Sequence, residues 1–284
     1  MSILGTIDWQ TEVSGFCRCP GESLHTSHNG KKDCRVSLDG APTIFCFHAS
    51  CIGAVTEANR RLRRELNASP WELRLPDGRT LRSGDVLRAD GTVVKHEAWS
   101  VERDAEDQFR TWLKIWLACS TVSIGDVYSS GRPEHRSHFR PVAEWYQLGP
   151  VMGNFTCGSS FKPGCYSRSN ENLDGHWFMV IESDSLSKDE VGAVFGYLRR
   201  RLRYELFCIV DTASKSLHAW FEAPRNKLLE SRLKAGLEVF GCDPKVFTYS
   251  QPVRVPGAWR EGKLQRLFWL KGQTRISRIC TNHG

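Results

Sequence analysis

No run in this sequence is long and apolar enough to cross a bilayer, where a spanning helix needs roughly 20 apolar residues. The first residues, MSILGTIDWQTE, also lack the basic and apolar regions of a secretory signal. These absences argue against a membrane partner and predict a protein that stays in the compartment where it is made, the cytoplasm. An excess of acid is missing too: 39 Lys and Arg stand against 32 Asp and Glu, a formal charge of +7. That balance permits a polyanionic partner without demanding one. An even cysteine count is the fourth absence. With eleven cysteines and no export signal, reduced thiols or metal ligation are favoured over a full disulfide framework.

What is present is ordinary for a folded chain: 284 residues, 40% hydrophobic and 25% charged, enough for one large domain or a small one joined to a medium one. Basic residues come in two runs, RRLRR from Arg60 to Arg64 and RRRLR from Arg199 to Arg203, each in a predicted helix. Such runs are as a rule solvated faces.

Residues 17–51, CRCPGESLHTSHNGKKDCRVSLDGAPTIFCFHASC, hold five of the cysteines and three of the nine histidines among turn-forming residues. So little apolar material builds little core, and a structural metal supplies the missing stability. Tetrahedral Zn²⁺ takes four N/S ligands from two knuckles. Cys19-x5-His25 and Cys46-x4-Cys51 fit, with Cys17, Cys34, His28 and His48 as spare candidates and Cys34 or His48 able to replace one of the four. The competing reading is a set of buried thiols without metal.

Residues 54–66 read as a helix, followed by a turn-rich hairpin region with Pro76-Asp77-Gly78 and Ala89-Asp90-Gly91 as turn chemistry. Another helix is predicted over 104–119, from Phe109, Trp112, Leu113, Trp116 and Leu117 at helical spacing. The polar stretch 151–176 reads as a binding loop that delivers Lys162 and Arg168. Ser187-x-x-Glu190 is a capping box, predicting a helix from Lys188 to about Tyr204. FCIVDT and SLHAWFEA form a hairpin, and a helix over 226–240 stops at Gly241. The expected organisation is residues 1–51 as a zinc ribbon, 52–98 as a connector and 99–284 as the main domain. Its class is α+β, a mostly antiparallel sheet with helices on one face.

Chemistry concentrates at the end of the apolar run Phe178 to Ile181. Glu182 and Asp184 alternate with Ser183, so on a strand they share a face. Like charges that close repel unless a cation compensates, and Mg²⁺ commonly takes one or two carboxylates plus substrate phosphates. The bland alternative is an acidic strand end entering a turn. Ser216 and His218 again share a face, preceded by Lys215. Asp243 supplies a third acid, and Arg254 and Arg260 flank Pro256-Gly257. Acids for metal, with Lys, Ser, His and Arg for phosphate oxygens, are the parts of a nucleotidyl-transfer site.

Glu-x-Asp at a strand end, Ser-x-His after a Lys-containing turn and an Asp ahead of an Arg-x-Pro-Gly segment resemble the three motifs of the archaeo-eukaryotic primase superfamily, particularly its plasmid- and phage-borne primase-polymerases. The knuckles over 17–51 resemble the zinc ribbons of DNA primases. The resemblance implies a primase-type core with an RRM-like sheet flanked by helices. It further implies that Glu182, Asp184 and Asp243 bind catalytic Mg²⁺ or Mn²⁺, and that Lys215, Ser216, His218, Arg254 and Arg260 hold the triphosphate of an NTP or dNTP. The zinc ribbon then grips a single-stranded DNA template or the initiating nucleotide. The chain departs from the family's pattern in two places. The first motif has Glu182 where Asp is usual, and the turn before the histidine is Thr-Ala-Ser-Lys where Ser-Gly-Gly-Lys is frequent.

The implied activity is that of a bacterial, plasmid- or phage-encoded primase, and the chain's end soon after KLQRLFWL is compatible with a fragment of a longer protein carrying a replicative helicase. Two other readings use the same parts: a non-catalytic replication-initiation protein that binds single strands, and a metal-dependent nuclease.

Overall fold

The computed structural model describes residues 4–26, 32–38, 43–68, 71–83, 104–125, 133–149, 153–214 and 216–271. Its chain falls into two compact units, one of Met1–Ala89, Ser183–Leu186 and Asn226–Pro244, the other of Asp90–Glu182, Ser187–Arg225 and Lys245–Gly284.

The first unit opens with a four-stranded antiparallel meander, β1 (Asp8–Trp9), β2 (Ser14–Phe16), β3 (Cys34–Ser37) and β4 (Thr43–Cys46). Strand alternation sends Val36 and its partner Ile44 inward, each 1% exposed, and sends Arg35 and its partner Phe45 outward. Helix α1 (Ile52–Ala68) covers the β4 edge. The buried Asn59 amide makes this possible by accepting from Ile44 N at 2.6 Å and donating to Ile44 O at 2.8 Å. Those edge-strand groups would otherwise be buried without partners.

The predicted turn Pro76-Asp77-Gly78 joins β5 (Glu72–Arg74) to β6 (Thr80–Arg82), with Gly78 left-handed at φ 85°. The turn at Ala89-Asp90-Gly91 lies outside the described residues. The hairpin shares this unit with the later helix α5 (Lys227–Phe240): Gly236 leaves the space taken by Leu81, since a Cβ there would lie 2.1 Å from Leu81 Cδ1. The structural grouping therefore joins the ribbon, the connector segment and α5, although α5 lies far along the chain. Asn226 caps α5 by accepting from Leu228 N and Leu229 N, and Gly241 ends it at φ 103°, the predicted stop.

The second unit is built on an antiparallel sheet in the order β12 (Phe178–Ile181), β14 (Leu217–Glu222), β13 (Leu206–Asp211), β18 (Arg266–Leu270). The predicted hairpin is β13–β14, turning through Ala213 at φ 61°. On one face, Met179, Ile181 and Phe221 belong with helix α4 (Lys188–Arg200), whose Phe195 lies edge-on to Phe221. On the other, Phe178, Val180 and Trp220 meet Phe109, Trp112 and Trp116, which helix α2 (Ala105–Leu113) and the turn after it supply. The sheet is thus covered by helices on both faces, not one, because every residue of β12 is buried. Gln108 ties α2 to β18 by accepting from Leu267 N at 2.8 Å.

The α4 capping box forms as expected, and the helix ends at Arg200, short of Tyr204, because Arg203 turns left-handed at φ 60°. The helix predicted over 104–119 ends at Leu113, and the chain continues in turns that still bury Ile115 and Trp116. A second four-stranded sheet runs β11 (Leu173–His176), β10 (Ser159–Phe161), β7 (Thr121–Ser123), β8 (Phe139–Pro141), with helix α3 (Val142–Leu148) leading on from β8. Short ladders pair β15 (Val253–Arg254) with β9 (Phe155–Thr156) and β16 (Trp259–Arg260) with β17 (Lys263–Leu264). The segment 151–176 is thus not simply a polar loop but contributes β9, β10 and β11. Ser159 and Ser160 are buried there because they find distant partners: Ser159 Oγ donates to Tyr249 O at 2.7 Å, and Ser160 Oγ accepts from Trp177 Nε1 at 2.8 Å.

Candidate metal centre and candidate active site

In the first unit, the donor atoms of Cys19, His25, Cys46 and Cys51 all lie within 4.8 Å of one another. These are the four residues the knuckle spacing selects. Cys19 sits where β2 has ended, His25 follows a single 3₁₀ turn (Glu22–Leu24), Cys46 ends β4, and Cys51 closes a second turn (Ala49–Cys51) against α1. Gly21 is required between them, since a Cβ there would fall 2.6 Å from Cys51 Cβ. His25 Nε2 stands 3.5 Å from Cys46 Sγ. Ligands at the Zn–S and Zn–N bond lengths of a tetrahedral site stand about 3.5 to 3.8 Å apart, so the spacing and the donor chemistry suit Zn²⁺.

Three of the spare candidates take other roles. Cys34 lies with Cys17, their sulfurs 3.7 Å apart in the core under the sheet. His48 stacks on His25 with ring centres 4.0 Å apart, and its Nδ1 lies 3.5 Å from Cys46 Sγ. His48 therefore supports the cluster from outside. His28 falls outside the described residues. Burial and the neighbouring Cys46 and Cys19 thiols push the Cys51 thiol up to about 12.

In the second unit, the β12–β14 register sets Ile181 against Ala219, which carries Glu182 opposite His218 one step on. Their side chains meet, His218 Nε2 to Glu182 Oε2 at 2.6 Å, at only 6% and 16% exposure. His218 Nδ1 accepts from Arg254 N at 3.4 Å, which places the ring proton on Nε2, facing the carboxylate. The Arg254 guanidinium lies 4.1 Å above the Phe155 ring. Burial opposes ionisation of Glu182, but His218, Arg254 and Lys245 outweigh it and hold the carboxyl below its ordinary range. Burial and the nearby Arg260 lower the Arg254 pKa. The sequence-selected Glu182, His218, Arg254 and Arg260 thus share one electrostatic neighbourhood, with Lys245 and Phe155 as members that sequence reasoning missed. Lys245 follows Asp243 by two residues, a signal that was there to be read, whereas Phe155 becomes visible only through the β9–β15 pairing.

The remaining candidates are placed differently. Ser216 is buried, and its hydroxyl donates to Leu217 O at 3.2 Å. Lys162 Nζ donates to Glu171 O at 2.9 Å on the surface, and the positive charge of Arg168 acts on the buried Cys157. Lys215 lies outside the described residues. Asp184 is exposed and Asp243 half-buried, and both belong to the first unit. Much of the charge in the basic runs is engaged locally: Arg60 donates to Ser185 O, Arg61 pairs with Glu65 and Arg199 lies over Trp269.

One polar cluster carries no sequence signature. His176 Nδ1 meets Ser159 Oγ at 2.9 Å, its ring stacks on Tyr249 at 4.1 Å, and burial lowers its pKa to about 4.

No family model, curated protein or solved structure matches this chain. No helix among the described residues is long and apolar enough to cross a membrane.

Proposed function

We propose that this chain is a DNA primase or primase-polymerase, a nucleotidyltransferase that extends a strand on single-stranded DNA template from NTPs or dNTPs. The observation that carries the proposal is the Glu182–His218 pair at the ends of two adjacent strands, with Arg254 donating to the same histidine and stacked on Phe155. A carboxylate held ionised beside a histidine and several cations suits a substrate that brings both phosphate charge and a divalent cation.

In this reading Glu182 is the central acid of the site. Asp184 and Asp243 join it as ligands of Mg²⁺ or Mn²⁺ on the strength of the sequence resemblance alone. Bound metal would supply charge stabilisation for a 3′-hydroxyl attacking the α-phosphorus and for the departing pyrophosphate. His218, Arg254 and Arg260 bind and orient the triphosphate, with Lys215 and Ser216 entering from the resemblance. The Cys19, His25, Cys46 and Cys51 group holds a structural zinc, and the ribbon it stabilises grips template. A replicative helicase is the expected working partner of such an enzyme, in a bacterial cytoplasm and from a mobile element.

One observation favours a second reading, a non-catalytic protein that binds single strands for replication initiation: the Ser216 hydroxyl is spent on Leu217 O instead of being offered to a phosphate. Incubation with template, labelled nucleotides and Mg²⁺ or Mn²⁺ separates the readings through product length. Extension supports the polymerase, unchanged template the binding protein and shortened template a nuclease.

A further inference from the structure

The outward face of the ribbon sheet carries a feature the metal centre does not explain. Phe45 and Phe47 alternate along and just past β4, so both point away from the core, and they are 54% and 65% exposed. Their rings meet edge to face with centres 5.0 Å apart. A core would bury such rings, and burial of each is worth about 1.5 to 3 kcal/mol, so two left in solvent side by side mark a surface that receives something. The strand pairing sets Phe16, Arg35 and Phe45 in one row across β2, β3 and β4. Arg35 and Lys32 lie over the Phe16 ring at 4.7 and 5.6 Å. Among the described residues, neither cation makes an ion pair with an acid. Of the acids near this face, Asp8 lies at the far end of the row, across from Phe16, and Asp33 stands 3.9 Å from His48.

We infer that this face, Phe45 and Phe47 with Arg35 and Lys32, is a stacking platform for single-stranded DNA. Flat rings accept bases of any sequence on their π-faces, and two cations alongside, with no ion pair to an acid among the described residues, suit the phosphates that connect those bases. Rings without such cations would fit an apolar protein partner better. The inference deepens the functional proposal by naming the surface that holds template, and it rests on that reading for the choice of a nucleic-acid partner.

The test is anisotropy of a fluorescein-labelled oligo(dT) with the full zinc-loaded chain. The double variant Phe45→Ala/Phe47→Ala should bind at least about 25-fold more weakly, roughly fivefold or more for each ring, with unchanged zinc content. Phe47→Trp should retain parent affinity, because it keeps a stacking face. Lys32→Ala and Arg35→Ala should each reduce the slope of log affinity against log salt by about 0.7. Parent affinity in the double variant overturns the platform while leaving the catalytic proposal standing. Conversely, a parent that binds oligo(dT) through these rings yet incorporates no nucleotide sinks the polymerase and leaves the platform. Tighter capture of oligo(rU) than of oligo(dT), or no binding of oligo(dT) by the parent, overturns the DNA assignment.

Discussion

Cys46→Ser removes one of four donors from the metal centre, and its consequence follows from how little else holds the ribbon. The large aliphatic side chains buried in that core are Leu4, Val36, Ile44 and Val55, with Ile7 and Leu62 only partly buried against them and the remainder cysteines and one alanine. At about 2 kcal/mol each, those four side chains contribute roughly 8 kcal/mol. A structural zinc contributes about 10 to 16 kcal/mol in small metal-folded domains, so it is at least the equal of the apolar core. Serine keeps the size of the side chain but not its affinity for zinc, so the variant should lose its metal and residues 17–51 should open. The second unit has its own core with seven large aromatics, Phe109, Trp112, Trp116, Trp145, Phe178, Phe207 and Trp220, and should stay folded. Elemental analysis gives zinc content, and hydrogen exchange read by mass spectrometry locates the opening. One zinc per parent chain, none in the variant, and exchange protection lost only from the ribbon is the expected outcome. A parent purified without zinc, or a zinc-free variant whose ribbon amides remain as protected as the parent's, refutes the reasoning.

Other predictions test the site and its supports. His218→Ala removes a group that faces both Glu182 and Arg254 N, and should slow nucleotide incorporation by about two to three orders of magnitude, measured in primer extension, with zinc content unchanged. Burial depresses the His176 pKa to about 4, so the unfolded chain takes up the proton first as pH falls. Stability from this residue is therefore present above pH ~6.5 and is lost between there and pH ~4, by about 3 kcal/mol, and urea denaturation of His176→Gln should show a correspondingly smaller loss over that window. Asn59→Ala leaves two edge-strand groups of Ile44 without their partners and should cost about 2 to 4 kcal/mol in the same assay applied to the first unit.

The parts of this protein legible in its sequence are those whose cause is local. The Ser187–Glu190 capping box, the Gly241 stop, the Pro76-Asp77-Gly78 turn and the β13–β14 hairpin are each fixed by residues within a few positions. The four metal donors could be read because ligand chemistry restricts them to Cys and His at knuckle spacing. What escaped depends on distant partners. Ser159 and Ser160 look like loop residues until Tyr249 and Trp177 satisfy them, which is why β10 was hidden. Trp116 looks like the last turn of a helix because its burial against Phe178 mimics helical periodicity. The register that brings Glu182 to His218 depends on how two separate strands pair, and Phe155 beneath Arg254 left no trace in the local pattern.

The central claim is that this chain performs metal-dependent nucleotidyl transfer, with Asp184 among the acids that the sequence resemblance assigns to the metal, and Asp184→Ala tests it most directly. Asp184 is exposed, so a purely structural role allows a stability change within about half a kcal/mol, and loss of activity could not be blamed on unfolding. The measurement is incorporation of labelled nucleotide on single-stranded template with Mg²⁺ or Mn²⁺, alongside binding of the same template. The account predicts that the parent incorporates nucleotide, and that Asp184→Ala abolishes incorporation while template binding stays within about twofold of the parent. An Asp184→Ala protein that extends a primer at the parent rate contradicts it.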